Sequence, residues 1–230
     1  MMAPLAVLYD VHGNLGALRA VLDDARAHAA ARFLLGGDYA LFGPYPEETL
    51  TALRELPEAT WIRGNGERWT ASPDQAPDDP VVQGAITACR ESVRAKTVSE
   101  LAGLPETLTH DDVLYCHGSP ASDVRSFMPE AADDEAELLA GVRASRLVFG
   151  HTHLPFRRVA AAGVELVNPG SVGMPFDGDP RAAYALIGDT GDVHHRRVVY
   201  DHLGAAVAVR ERFAGDWPET VARRIERAAF

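Results

Sequence analysis

The sequence predicts an α/β fold, and three observations carry that prediction. Short apolar runs alternate with helix-period patterns through the first half of the chain. Each of several such runs stops abruptly at Gly, Asp, Asn or His, the residues that end strands and make tight turns. The chain has 230 residues, 47% hydrophobic and 24% charged, enough for a substantial core in one domain over residues 1–230.

The elements follow in order. Residues 5–9 (LAVLY) are apolar but short, carry no basic leader and meet Asp10 at once, so they read as a first strand and not a signal peptide. A helical pattern over 15–31 follows, then a strand-like run at 33–35, a helix at 47–56 and another run at 60–63. Segment 72–80, SPDQAPDDP, has three prolines and three aspartates and must be a loop. Val81, Ala85, Cys89 and Val93 recur every fourth residue, which predicts one helix over 81–101. Residues 70–104 therefore read as a helical insertion or cap. Strand-like runs resume at 113–116, 147–149, 164–167, 182–187 and 193–200, with an acidic helical segment at 133–141. Apolar and Arg/Glu residues alternate at helical spacing over 217–229, predicting a last amphipathic helix.

Composition narrows the function classes. The 22 Lys and Arg against 33 Asp and Glu leave a formal charge of −11, which argues against a nonspecific nucleic-acid binder. It leaves room for a small phosphate-containing substrate, because divalent cations in a cleft reverse the local potential. No apolar run is long enough to span a bilayer, and the cytoplasm is the expected compartment. Cys89 and Cys116 show no paired spacing and read as small buried hydrophobes, so any metal must use other ligands.

Metal-competent side chains recur just after the apolar runs: Asp10 and His12 after LAVLY, Asp38 after FLL, Asn65 after WIR, His117 after VLYC, and His151 and His153 after LVF. In an open α/β sheet, strand carboxyl ends share one edge, so residues far apart in sequence converge there. Each fragment alone is weak, since a His or Gly-Asp after a strand is commonly structural. Together they place four of the nine histidines at strand ends in an oxygen-plus-imidazole set without thiolate, which favours Mn, Fe or Zn. Seven ligands exceed what one ion takes. Two ions about 3.5–4 Å apart, sharing a carboxylate, fit the count.

The motif series D-x-H, G-D, G-N-x-E, H-G, G-H-x-H, with GDYALFGPYPEETL and VNPGSVGMPFDGDPRAAYAL, resembles the calcineurin-like metallophosphoesterase superfamily, and within it the small prokaryotic phosphodiesterase-type members, over nearly the whole chain. The resemblance implies a four-layer αββα sandwich with a dinuclear site at one sheet edge. It implies that Asp10, His12 and His153 hold a first divalent ion, that Asn65, His117 and His151 hold a second, most readily Mn, and that Asp38 bridges them. It implies direct attack on phosphorus by a metal-bridging hydroxide, with no covalent enzyme intermediate and no side chain assigned as catalyst.

One position departs from the family pattern. Many members carry His at the third position of G-N-H-(D/E), where it serves the leaving oxygen or binds phosphate; here it is Gly66. Phosphodiesters or nucleotide-like substrates with good leaving groups become the expected class, with phosphomonoesters and dinucleoside polyphosphates as alternatives and a non-catalytic scaffold of the same fold as the competing class. Asn14 reads equally as a phosphate contact or a helix cap. Arg63 reads as an oxyanion clamp or an ordinary ion pair. Glu67 takes a supporting or solvated role, and Arg90 and Arg94, one turn apart, face solvent or an anionic substrate. His28, His194, His195 and His202 read as structural, and residues 168–171 as a turn beside the metals. A homo-oligomer is compatible with the sequence and not specified by it.

Overall fold

The computed structural model describes residues 3–230. Its first half runs β1 (Leu5–Leu8), α1 (Leu15–Ala27), β2 (Arg32–Leu35), α2 (Pro46–Arg54), β3 (Ala59–Trp61), α3 (Asn65–Ala71), α4 (Pro80–Ser92) and α5 (Ala95–Ala102). The second half runs β4 (Thr107–His110), β5 (Val113–Cys116), α6 (Glu135–Leu138), β6 (Arg146–Val148), β7 (Phe156–Val159), β8 (Glu165–Asn168), β9 (Ala182–Ile187), β10 (Val193–Val198), α7 (His202–Arg212) and α8 (Trp217–Arg227).

The strands form two five-stranded sheets, ordered β10-β9-β1-β2-β3 and β4-β5-β6-β8-β7. Strands β1, β2 and β3 are mutually parallel, as are β5, β6 and β8, while the remaining strands pair antiparallel at the flanks. Alternation along the strands decides the layers. Val7, Tyr9, Leu34 and Ile62 of the first sheet meet Tyr115, Val148 and Val167 of the second. The intervening Ala6, Leu8, Phe33 and Leu35 face the opposite way, into a core shared with α1, α2, α4, α5, α7 and α8. Cys116, Leu147, Phe149 and Leu166 line the outer face of the second sheet against Phe127, Leu138 and Leu139. The order is helix, sheet, sheet, helix, but the layer over the second sheet is thin: one four-residue helix and a long loop.

Two expected helices are altered. The helix over 81–101 is broken, because Val93 and Arg94 are extended (φ −110°, ψ 134° and φ −60°, ψ 139°). Val93 remains buried, so the apolar period runs on unchanged across a break in the backbone. Arg90 and Arg94 consequently do not share a helix face. Arg90 Nη1 donates to the Thr70 carbonyl at 2.7 Å and fastens α4 to the end of α3. The acidic segment 133–141 is helical only over Glu135–Leu138: no side chain caps its start, and Gly141 turns left-handed beyond its end (φ 80°). Both cysteines are buried free thiols, and burial pushes Cys89 up to about 12. Among the described residues, no helix is long and apolar enough to cross a membrane.

Candidate metal centre

All seven residues that follow the strands come together at one edge of the two sheets. Asp10 and His12 follow β1, Asp38 follows β2, Asn65 opens α3 after β3, His117 follows β5, and His151 and His153 follow β6. All are buried except His151, which is partly exposed. Five of them have left-handed backbone: Asp10 (φ 55°), His12 (50°), Asp38 (56°), His151 (67°) and His153 (60°). Side chains adopt this region at a cost of order 1–3 kcal/mol each, and it concentrates at functional sites.

The donor atoms converge. His12 Nε2 and His153 Nε2 lie 3.0 Å apart. Their Nδ1 atoms are committed elsewhere, to the Leu41 carbonyl at 3.0 Å and the Met174 carbonyl at 2.5 Å. A carbonyl only accepts, so each Nδ1 carries the proton and both Nε2 lone pairs point at each other. His117 Nδ1 is held in the same way by the Gly36 carbonyl at 2.9 Å. Asp10 Oδ1 lies 3.9, 3.8 and 3.5 Å from the Nε2 atoms of His12, His117 and His153. Asp38 faces two ways, with Oδ2 3.9 Å from His12 Nε2 and Oδ1 3.5 Å from His117 Nε2. One end of the Asn65 amide sits 2.9 Å from His151 Nδ1 and 3.0 Å from His117 Nε2.

These atoms fit a cation better than they fit one another. Asp10 Oδ1 is buried without a hydrogen-bond partner, and two imidazole lone pairs face each other with no proton between them. Divalent ions satisfy both conditions, and neutral imidazole, carboxylate and amide oxygen is a donor set suited to Mn, Fe or Zn. Two groups of three side chains, Asp10-His12-His153 and Asp10-Asp38-His117, bring ligand atoms close enough to share an ion.

A second set of contacts fixes these side chains and their loops. Glu67 accepts from the backbone N–H of Asp38 (2.9 Å), Tyr39 (2.8 Å) and Gly64 (2.9 Å), binding the loops after β2 and β3 together. Ser171 Oγ donates to the Asp10 carbonyl at 2.7 Å and accepts from Met174 N–H at 2.8 Å. Asn168 donates to the Gly150 carbonyl and to Thr152 Oγ1, so residues 168–171 shape the loop beneath the site. The Gly66 N–H donates to Asp38 Oδ1 at 2.7 Å. A Cβ at Gly66 would lie 2.9 Å from that same oxygen, so close approach to Asp38, and not a left-handed backbone, accounts for glycine there.

Burial and mutual charge set the protonation states. Burial, with the neighbouring His153, holds His12 down at about 3, and burial with His117 holds His151 at about 4. Burial drives Asp38 up to about 7 against the pull of His117, with Glu67 and Asp10 adding to the rise. Burial also opposes ionisation of Asp10, but the three surrounding imidazoles outweigh it and hold the carboxyl below the usual range. The sign for the metal-free protein follows. Between about pH 4 and 6.5 the unfolded chain takes up protons at His12 and His151 that the folded chain refuses, whereas folded Asp38 holds one that the unfolded chain lacks. His195, lowered by burial, adds to the uptake. The two depressed histidines of the site outnumber the one raised carboxyl, so unfolding free energy of chelated protein is expected to fall as pH drops from 6 to 4.5, a trend that denaturant titrations measure.

The site opens into a cleft of about 790 Å³, lined by His12, Asp38, Asn65, His151 and His153 on its floor. Phe42, Trp69, Val82, Val124, Met128 and Phe176 stand on its walls, with Pro77 and Asp79 from the segment before α4. Neither predicted substrate contact lines it. Asn14 is buried, capping α1 through Ala17 N–H and donating to the Gly173 carbonyl and Tyr200 hydroxyl. Arg63 donates to the Ala102 carbonyl and pairs with Glu106. Of the remaining histidines, His195 bonds the Asn168 carbonyl, and His28 and His194 pair with Asp24 and Asp192.

Residues 4–193 match the calcineurin-like phosphoesterase superfamily domain. An uncharacterised protein of Methanocaldococcus jannaschii is 26% identical over 237 residues, covering 93% of this chain and 94% of that one. The crystal structure of a metallophosphoesterase from Sphaerobacter thermophilus superposes with a TM-score of 0.82 at 27% identity, over 99% of each chain. A hypothetical protein from Pyrococcus horikoshii OT3 shares the fold with a TM-score of 0.83 at 20% identity, over 97% of this chain and 98% of its own.

Proposed function

Since the chain belongs to the calcineurin-like phosphoesterase superfamily, a family of metal-dependent phosphoric ester hydrolases, we propose that it hydrolyses phosphodiesters or nucleotide-like phosphate esters at a centre of two divalent ions. The observation that carries this reading is the unpartnered Asp10 Oδ1 among three inward-facing imidazole nitrogens. Asp10, His12 and His153 would hold one ion and Asn65, His117 and His151 the other. Asp38, whose two oxygens face opposite imidazoles, would hold both. Mn is the proposed metal and the cytoplasm the proposed compartment. When bound, two such ions supply Lewis acidity that lowers the pKa of water and neutralises phosphate oxygens.

The residues themselves do the placing. Carbonyls of Leu41, Met174 and Gly36 lock three imidazoles in the tautomer whose lone pair points inward. Glu67 and Ser171 hold the loops that carry Asp38 and Asp10. Elemental analysis of purified protein is expected to give close to two divalent ions per chain, and exhaustive chelation to abolish turnover. A fully active protein with one ion, or activity surviving chelation, contradicts the two-ion reading.

Substrate preference follows from what the cleft lacks. Outside the proposed ligand set, its ionisable side chains are Asp79 and Arg224. Asp79 Oδ1 is occupied in capping α4, accepting from Val81 and Val82 N–H. With no imidazole for the departing oxygen, the ~10²–10⁴-fold contribution of a positioned general acid is missing, and the deficit matters least for stable anions. Rates across aryl diesters of graded leaving-group pKa are expected to fall steeply, with nitrophenyl diesters fast and alkyl monoesters slow. A flat series in single-turnover measurements would show that another group supplies the proton.

A further inference from the structure

The cleft has a feature that metal chemistry does not use. Arg224, on α8, lines it, and among the described residues its guanidinium makes no hydrogen bond and no ion pair. Arg210, Arg212 and Arg223 of the C-terminal helices are engaged, with Glu219 and Glu226, with Glu48 and with Glu219, while Arg227 is exposed and does not line the cleft. Arg224 instead lies over the ring of Phe230, 4.0 Å from its centroid. Burial pulls its pKa down, against the opposing charge of Asp79, so the cation is partly stripped of water without a bonded counter-ion.

An aromatic path joins this cation to the metal ligands. Phe176 stacks on His153 with centroids 4.4 Å apart and an interplanar angle of 21°. Phe230 meets the edge of Phe176 at 5.6 Å, and Arg224 follows. The rim is apolar as well: Val124, Met128 and Phe230, 41%, 43% and 88% exposed, all line the same opening. A lone phosphate needs none of this wall. A cleft of about 790 Å³ has the capacity of a drug-sized ligand. The helix that brings Arg224 also lies beyond residues 4–193, the part that matches the family domain.

Resting on the phosphodiesterase reading, we propose that Arg224 is a specificity-determining residue that receives a second phosphate of the substrate, while the Phe176–Phe230 wall takes an aromatic group between the two phosphates. The favoured substrate class is thus a nucleotide-like ester with one phosphate at the metals and another beyond the base-bearing sugar. Hydrolysis breaks the ester P–O bond at the first phosphate: water's oxygen bonds to phosphorus, the ester oxygen leaves with the bond's electron pair, and the proton released by water ends on the leaving group or in solvent. The second phosphate is unchanged. Arginine suits the role because its planar fork binds phosphate through two hydrogen bonds while its face stacks on a ring.

The test compares two esters that differ by one phosphate: thymidine 5′-(4-nitrophenyl phosphate), with and without a 3′-phosphate. With Mn-loaded wild-type protein, kcat/KM is expected to favour the 3′-phosphorylated ester. In Arg224→Gln that preference should shrink ~10–100-fold, mostly through KM, and Arg224→Lys should restore part of it. An equal loss on both esters would place Arg224 at the reacting phosphate or in the fold, and no loss would remove it from the site; either overturns the proposal. Calorimetric binding of thymidine 3′,5′-bisphosphate and thymidine 5′-monophosphate separates the two levels of inference. Tighter binding of the bisphosphate, lost in Arg224→Gln, with neither ester cleaved, would refute the phosphodiesterase reading and uphold Arg224. Equal binding of both nucleotides by wild type would refute the role of Arg224 whether or not the esters turn over.

Discussion

Replacing Asp38 with Asn is expected to lower turnover by ~10²–10³-fold or more and to reduce metal content from about two ions to one or fewer. Both carboxylate oxygens are used: Oδ1 accepts from the Gly66 N–H and faces His117, and Oδ2 faces His12. An amide has one acceptor atom and no charge. If its oxygen stays with Gly66, its NH₂ is turned on an imidazole lone pair where a cation should sit. The metal-free fold should respond in the opposite sense. Burial has pushed Asp38 up to about 7, so at pH 8 the chelated wild type holds an unfavourable buried charge that D38N removes. Thermal unfolding of chelated D38N at pH 8 should therefore match or exceed wild type while its activity is lost. Near-normal turnover with two bound ions would mean that Asp38 is not the shared ligand.

Glu67→Ala should be the most damaging change that leaves every proposed ligand in place. The carboxylate receives three backbone N–H groups from two loops and is itself 4% exposed. Its removal strands three buried donors, each at about 1–3 kcal/mol, for a combined loss on the order of 3–9 kcal/mol. In a chain of this size each kcal/mol moves Tm by ~2–4 °C, so a fall of ~10 °C or more is expected in a calorimetric scan. Asp38 and Asn65 ride on the same loops, so metal affinity should fall with stability. Glu67→Gln, which keeps one acceptor oxygen, should lie between the two. A Glu67→Ala protein with unchanged Tm would show that water replaces the carboxylate fully.

The convergence of the proposed ligand residues was legible because their chemistry allows few substitutes and because parallel strands must end at a common edge. Asp10, His12, Asp38, His117, His151 and His153 announce themselves as polar groups directly after apolar runs. What was illegible has physical reasons of its own. Strands β4 and β7 lie at the two edges of their sheet and are largely solvated, so TLTH and FRRV carry no apolar run to mark them. Helix α7 buries only Ala205, Ala206 and Val209, too faint a stripe for a period to emerge. The break at Val93 hides because a buried valine serves an extended backbone as well as a helical one. Asn14 and Arg63 sit beside the right motifs, but neighbours in sequence are not neighbours in the cleft. Arg224 stands in an ordinary amphipathic pattern, and only its lack of partners in space distinguishes it from Arg223.

The left-handed backbone at Asp10, His12, Asp38, His151 and His153 sets two kinds of selection against each other. Each of these conformations is one that glycine accepts freely, so for the metal-free chain glycine at any of them would relieve strain. The side chains also hold the loops: Asp10 accepts from His151 N–H, Asp38 from Gly66 N–H, and the His12 and His153 rings bond the Leu41 and Met174 carbonyls. A variant library sorted purely for thermal survival in the presence of chelator should therefore drift toward asparagine at Asp10 and Asp38, where it keeps an acceptor and tolerates the left-handed region, and lose the proposed centre as it gains stability. The same library sorted in saturating metal should retain them, because an ion that binds only the folded chain makes the ligand residues stabilising.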